Sequence, residues 1–139
     1  MNTRAYLMQL RTIDFDILNV QSEADSWREL AMKLHHEPSD IRVDTSPMPD
    51  KMENLVIKAA DSATEADREK EVLIYLKATI EKQIKSIEDK ECVFMLWGYY
   101  HDRLSVEYLA KKLNYSYKQG KRVKQRGERL FEEKYGKTY

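Results

Sequence analysis

Across 139 residues, 24 Lys and Arg balance 24 Asp and Glu; the length suits one ordinary domain, or a small domain with an extended helical element, and the zero net charge by itself speaks against a nucleic-acid partner. No stretch approaches the roughly 18 apolar residues of a membrane span, and the opening MNTRAYLMQL lacks the apolar core of a secretory leader, so a soluble protein of the cell interior with no membrane partner is expected. The single cysteine, Cys92, excludes an internal disulfide and lies in an apolar run, which predicts a buried structural thiol.

From Tyr6, apolar or small residues recur at Leu10, Ile13, Ile17, Val20, Ala24, Trp27, Ala31 and Leu34, in alternating steps of four and three. This heptad seam predicts a long amphipathic helix, with Thr3 as its cap, packed against another helix along its length. His35, His36 and Glu37 near its end do not make a metal site, because adjacent histidines in a helix point in different directions. All three prolines fall in PSDIRVDTSPMPD, which predicts a loop at about 37–50. A second seam, Met52, Leu55, Val56, Ala59, Ala66, Leu73, Leu76, Ile80, Ile84 and Ile87, predicts a helix over about 50–87, with i to i+4 pairs such as Glu81 and Lys85 on its outer face. Helices of this size are roughly 50–57 Å long at 1.5 Å per residue. Joined by a short loop, they predict an antiparallel coiled-coil hairpin over 1–87. With only one face covered, the hairpin either self-associates into a four-helix bundle, making the protein a homo-oligomer, or packs on its own C-terminal part.

The segment EDKECVFMLWGYYH is the most apolar of the chain, and Val93, Leu96, Trp97 and Tyr100 recur in it at helical spacing. It predicts the first, core-facing helix of a three-helix unit spanning 88–139. Gly98 lies near its end, Asp102 and Arg103 form a link, and Ser105 can cap the next helix. Residues 104–131, LSVEYLAKKLNYSYKQGKRVKQRGERLF, then carry the spacing of a helix-turn-helix, with Leu109, Ala110, Leu113, Tyr115 and Val123 at its packed positions. Asn114 sits where the turn needs a positive φ, which Asn tolerates better than any residue but Gly. Ser116 and Gln119 have the spacing of a capping box. Gly120 and Gly127 each cost a helix up to about 1 kcal/mol relative to Ala, so both are expected to let the last helix approach the one bearing Trp97, Tyr99 and Tyr100.

Here the charge balance comes apart. Residues 89–139 hold 12 Lys and Arg against 7 Asp and Glu, a net of +5 that leaves −5 on residues 1–88. Between Glu107 and Glu128 there is no acidic residue, but there are Lys111, Lys112, Lys118, Lys121, Arg122, Lys124 and Arg126. On a helix starting at Ser116, the side chains facing away from Gly120 and Val123 are Tyr117, Lys118, Lys121, Arg122 and Gln125. That face enters the major groove of double-stranded DNA in a helix-turn-helix, where Arg and Lys suit guanine O6 and N7 and Gln suits adenine N6 and N7. Lys111, Lys112, Lys124, Arg126 and Arg103 are placed for phosphates, as is Ser116 through its hydroxyl or helix-terminal amides. A Lys-rich face that is simply solvated is the competing account, and the coincidence of cap, turn, acid-free interval and basic half in one stretch weighs against it. The chain holds no P-loop, no Gly-rich dinucleotide turn, no nucleophile elbow and no paired histidines at metal spacing, so neither an enzyme nor a bound cofactor or metal is expected.

These residues resemble region 4 of bacterial sigma factors, in which a hydrophobic helix precedes a short Leu-Ser-x-Glu-x-Leu-Ala helix and a basic recognition helix. The matching stretches are LWGYY at 96–100, LSVEYLAKKLNYS at 104–116 and KRVKQRGERLF at 121–131. Gly120 stands where that pattern has an aliphatic residue, and Glu128 where it has an apolar one. In layout the whole chain is similar to small phage-encoded proteins akin to the ArpU-type late-gene regulators. The resemblance implies promoter binding, contact with RNA polymerase and residence in the bacterial host cytosol. It makes the expected protein a sequence-specific DNA-binding regulator of phage late genes. Two other readings use the same features: a protein-interaction adaptor working through the hairpin, and a DNA-packaging component like a small terminase subunit.

Overall fold

The computed structural model describes residues 1–35 and 49–139. The loop expected at about 37–50, and with it His36 and Glu37, lies almost wholly outside the described residues. Among these the fold is all-helical, with five helices: α1 (Thr3–His35), α2 (Pro49–Lys85), α3 (Lys90–Leu96), α4 (Val106–Lys112) and α5 (Tyr117–Tyr135). None of the helices is long and apolar enough to cross a membrane. The first two form a long N-terminal hairpin. Tyr6 donates its hydroxyl to Gln83 at 2.7 Å and Lys77 reaches Asp14 at 2.7 Å, so positions rise along α1 as their partners fall along α2. The Lys77 hydrogen bond holds the Asp14 carboxyl below the usual range. That contact is therefore complete above the ordinary carboxylate pKa and is lost as pH falls through the lowered value.

Local chemistry explains where each element starts. α1 is capped by Asn2, whose side-chain oxygen accepts from the Ala5 amide at 2.7 Å; Thr3 is not the cap, because its hydroxyl is taken up with that of Tyr139 at 2.6 Å. α2 begins at Pro49, two residues inside the expected loop border, where a missing N–H costs nothing. Asp89 caps α3, accepting from the amides of Glu91 and Cys92. The apolar helix expected over 88–101 is α-helical only to Leu96. It continues as a π-helical turn, Trp97–His101, closed by the Asp102 backbone amide, which donates to the Trp97 carbonyl at 3.0 Å. The rings of Trp97 and His101 stack there with centroids 4.0 Å apart, and Glu81 pairs with His101 at 3.3 Å rather than with Lys85, which lies over the Trp97 ring at 4.6 Å.

The chain divides into two compact units, Met1–Asp14 with Tyr75–Tyr139, and Phe15–Ile74. In the first, Leu7, Leu10, Ile13, Ile80 and Ile84 are buried together with Met95, Leu96, Tyr100, Leu109 and Phe131. Cys92 is buried and free; its S–H points to the Val123 carbonyl at 3.6 Å, and burial pushes its thiol pKa up, which keeps it a packing group. Tyr6 stacks on Tyr139 with ring centroids 4.2 Å apart and meets Phe131 at 5.9 Å, so the start of the hairpin is fastened to α5. In the second unit the buried side chains are Ala24, Ala59, Ala63 and Ala66. Arg28 pairs with Asp67, and Lys70 with Gln21. Leu55 is 51% exposed, so it does not belong to the α2 seam.

Candidate nucleic-acid interface

α4 and α5 are joined by a turn that the backbone leaves little freedom to change. Asn114 has φ of 60°; its amide donates to the Lys111 carbonyl at 3.0 Å, and that of Tyr115 to the Ala110 carbonyl at 2.8 Å. This pair of bonds is a Schellman ending with Asn in the left-handed position. Tyr115 turns its hydroxyl inward to Glu91 at 2.8 Å. α5 then opens with a full capping box: the Ser116 hydroxyl accepts from the Gln119 amide at 3.2 Å, and the Ser116 amide donates to the Gln119 side chain at 2.9 Å. α4 starts in a similar way, with Ser105 accepting from the Tyr108 amide at 3.1 Å.

The glycines set the depth at which α5 packs. A Cβ on Gly120 would stand 2.6 Å from Ala110 Cβ and 3.4 Å from Ala110 Cα; one on Gly127 would stand 3.1 Å from both Cys92 Cβ and Leu96 Cγ. Close approach is therefore their purpose, and Gly127 meets the helix expected, though at Cys92 and Leu96 rather than at its aromatic residues, whereas Gly120 does not. Gly120 meets α4 and Gly127 meets α3. With Val123 and Phe131 they form the buried side of α5.

The opposite side carries Tyr117, Lys118, Lys121, Arg122 and Gln125, all exposed. Lys121 lies over the Tyr117 ring at 5.4 Å, and Lys112 over the Tyr108 ring at 5.3 Å. Lys111 and Lys112 are exposed in the last turn of α4, and Ser116 is exposed at the head of α5, its hydroxyl oxygen engaged in the cap and its hydrogen left to donate. All eight are exposed; Tyr117, Lys121 and Gln125 border one depression with Lys124, and Lys112 borders another with Lys85 and Lys90.

The remaining three expected phosphate contacts are tied down within the protein. Lys124, with a side chain only 14% exposed, bonds Glu128 at 2.8 Å and lies over the rings of Tyr99 and Tyr100 at 4.4 and 5.3 Å. Arg126 pairs with Asp89 at 3.1 Å and approaches Glu91 at 3.6 Å. The Asp89 carboxyl is held below its usual range although burial alone would raise it, because the amide of Cys92 and the charge of Arg126 outweigh that effect. Arg103 has φ of 60° and reaches Asp14 at 3.7 Å.

Glu128, the residue that departs from the sigma-like pattern, is 6% exposed and takes Arg4 of α1 on its other oxygen at 2.8 Å. Its position on the packed side of α5 is readable from its neighbour Gly127, but nothing in the sequence points to Arg4 as its partner. A buried charged group stripped of its partner costs several kcal/mol. Glu128→Ala strands Lys124 under two rings and frees Arg4, so it is expected to destabilise the protein by about 3 kcal/mol, measured as a lower urea midpoint. Glu128→Gln, which keeps the volume, should recover part of the loss. Tyr100, fully buried beside this cluster, has a hydroxyl with no partner among the described residues, and burial drives its pKa far up.

Comparison of the chain with protein-family models, with curated proteins and with solved structures found no match.

Proposed function

We propose that residues 104–135 form a helix-turn-helix and that the protein is a sequence-specific, double-stranded DNA-binding transcription regulator. In this reading α5 lies in the major groove, and Tyr117, Lys118, Lys121, Arg122 and Gln125 face base edges and the adjoining backbone. Lys111, Lys112 and Ser116 hold phosphates on its flank. Lys124, Arg126 and Arg103 are assigned to holding the unit together rather than to DNA. Extended by the resemblance to sigma region 4 and to ArpU-type proteins, the proposal is a regulator of phage late genes in the cytosol of a bacterial host, with RNA polymerase as a further contact. The hairpin would act as an antiparallel coiled coil that sets oligomeric state or recruits a partner.

One observation carries the reading. The solvent face of α5 is basic and free of acids from its cap to Gln125, on a helix whose start is fixed by a Schellman turn and a capping box. Such a face binds a polyanion through released counterions, with log K falling by about 0.9 per phosphate neutralised for each unit of log salt. With roughly four to six phosphate and base-flank contacts, affinity for a duplex from the protein's own genome should drop on the order of a hundredfold to a thousandfold between about 50 and 200 mM salt. A gel-shift titration at the two concentrations checks this. Absence of any shift at the lower concentration would favour the adaptor reading, which draws its support from the apolar side chains exposed on the hairpin, among them Leu18, Met32 and Ile57.

A further inference from the structure

Residues 15–74 contain 14 Asp and Glu against 7 Lys and Arg, whereas the rest of the chain contains 17 Lys and Arg against 10 Asp and Glu. The two compact units thus carry opposite net charges of equal size, −7 and +7. The acidic unit also buries only alanines among its described residues, while Leu18, Met32, Ile57 and Val72 stand 53–66% exposed. On α2, Glu65, Glu69 and Val72 follow one another at i, i+4 and i+7, which puts them on one side of the helix, and all three are exposed. They border the same shallow depression, whose lining holds one cation, Arg68, beside the two carboxylates. This makes an acidic strip with an apolar tip.

The basic unit has the matching surface. A groove of about 560 Å³ runs between α3 and α4, floored by Phe94, Trp97 and Tyr108 and rimmed by Lys85, Lys90 and Lys112, with Asp102 the one acidic residue among its lining. Phe94 is 39% and Tyr108 47% exposed. Lys85 and Lys112 lie over the Trp97 and Tyr108 rings, so ammonium groups stand at the lips of an apolar floor.

We propose that the strip Glu65, Glu69 and Val72 of a second copy of this chain docks in the groove, with Val72 on the aromatic floor and the two carboxylates against Lys85, Lys90 and Lys112. The occupant is a second copy because the chain itself supplies both complementary surfaces in equal number, on units of equal and opposite net charge. The two surfaces are different patches, so two copies that exchange strip for groove close as a two-fold pair, and copies that each use one patch add head to tail into rings or open chains; the mass reached at low salt tells the two apart. The proposal goes beyond the DNA-binding reading and does not rest on it, since it uses α2, α3 and α4 and shares only Lys112 with the surface assigned to DNA.

The experiment is sedimentation velocity on the full chain without DNA, at low and high salt. The mass is expected to grow with concentration at low salt and to return to that of one chain at high salt. A groove variant, Lys90→Glu with Lys112→Glu, and a strip variant, Val72→Asp, should each be monomeric at low salt with unchanged helical circular dichroism. Mixed in equal amounts they should form a one-to-one dimer, because one intact groove meets one intact strip; misfolded chains would not rescue each other in this way. Three results would each overturn the proposal: a wild-type chain that stays monomeric at low salt, association that persists in both variants, or a mixture that remains monomeric.

Discussion

Lys121→Glu combined with Arg122→Glu is expected to weaken binding to duplex DNA at least about a hundredfold and to leave the fold intact. Both side chains are exposed, and among the described residues neither forms an ion pair; Lys121 rests on the Tyr117 ring, at 5.4 Å. Reversing them adds no buried charge, and surface substitutions of this kind usually move stability by less than about 0.5 kcal/mol. On DNA the effect is large. A good base-edge or phosphate-flank contact contributes about 1–3 kcal/mol, two are lost together, and two new carboxylates face the phosphates. Fluorescence anisotropy with a labelled duplex, run beside thermal unfolding, separates the two effects. Unchanged affinity in a folded variant would remove α5 as the reading face.

Gly120→Leu is expected to destabilise the protein by about 3 kcal/mol or more, a fall in Tm of roughly 10 °C. The Cβ alone would stand 2.6 Å from that of Ala110. Ala110 is buried on a short helix held by the Ser105 cap and the Asn114 turn, so its Cβ cannot swing aside as the end of a long side chain would. Making room requires α4 and α5 to move apart, opening the contact that sets the head of α5 against α4. Gly120→Ala is the instructive intermediate. It recovers up to about 1 kcal/mol of helix propensity and still meets Ala110, so it should destabilise less than Leu and remain below wild type. A Gly120→Leu chain as stable as wild type would mean that α5 does not pack at this depth.

The features legible in the sequence are those set by a few adjacent residues. Asn114 in the left-handed region, the Ser105 cap, the Ser116 and Gln119 box and the heptad steps of α1 all follow from chemistry within about one helical turn, and each is found where expected. The exposed face of α5 is legible for the same reason, because one helical period separates Val123 from Lys121 and Arg122. What escaped depends on residues far apart in the chain. Arg4 and Glu128 are 124 positions apart, and no local pattern says that the start of α1 lies against α5. Lys124 is a mixed case: its partner Glu128 is one helical turn away and locally legible, while the Tyr99 and Tyr100 rings that cover it are not. The π-helical turn at Trp97–His101 escaped because its apolar periodicity is indistinguishable, over five residues, from that of an α-helix. Of the two glycines, Gly127 meets the helix expected and Gly120 meets α4 instead, since helical phase says which way a position faces and not which helix lies opposite.

The measurement that bears most directly on the central claim is an NMR titration of the full chain with an unlabelled duplex at low salt, following the backbone amides. If α5 enters the major groove, the large shifts should fall within residues 104–126, centred on the head of α5 and the last turn of α4, and should disappear as salt is raised. Shifts concentrated in residues 15–74, or no shifts at any duplex concentration at low salt, would contradict it.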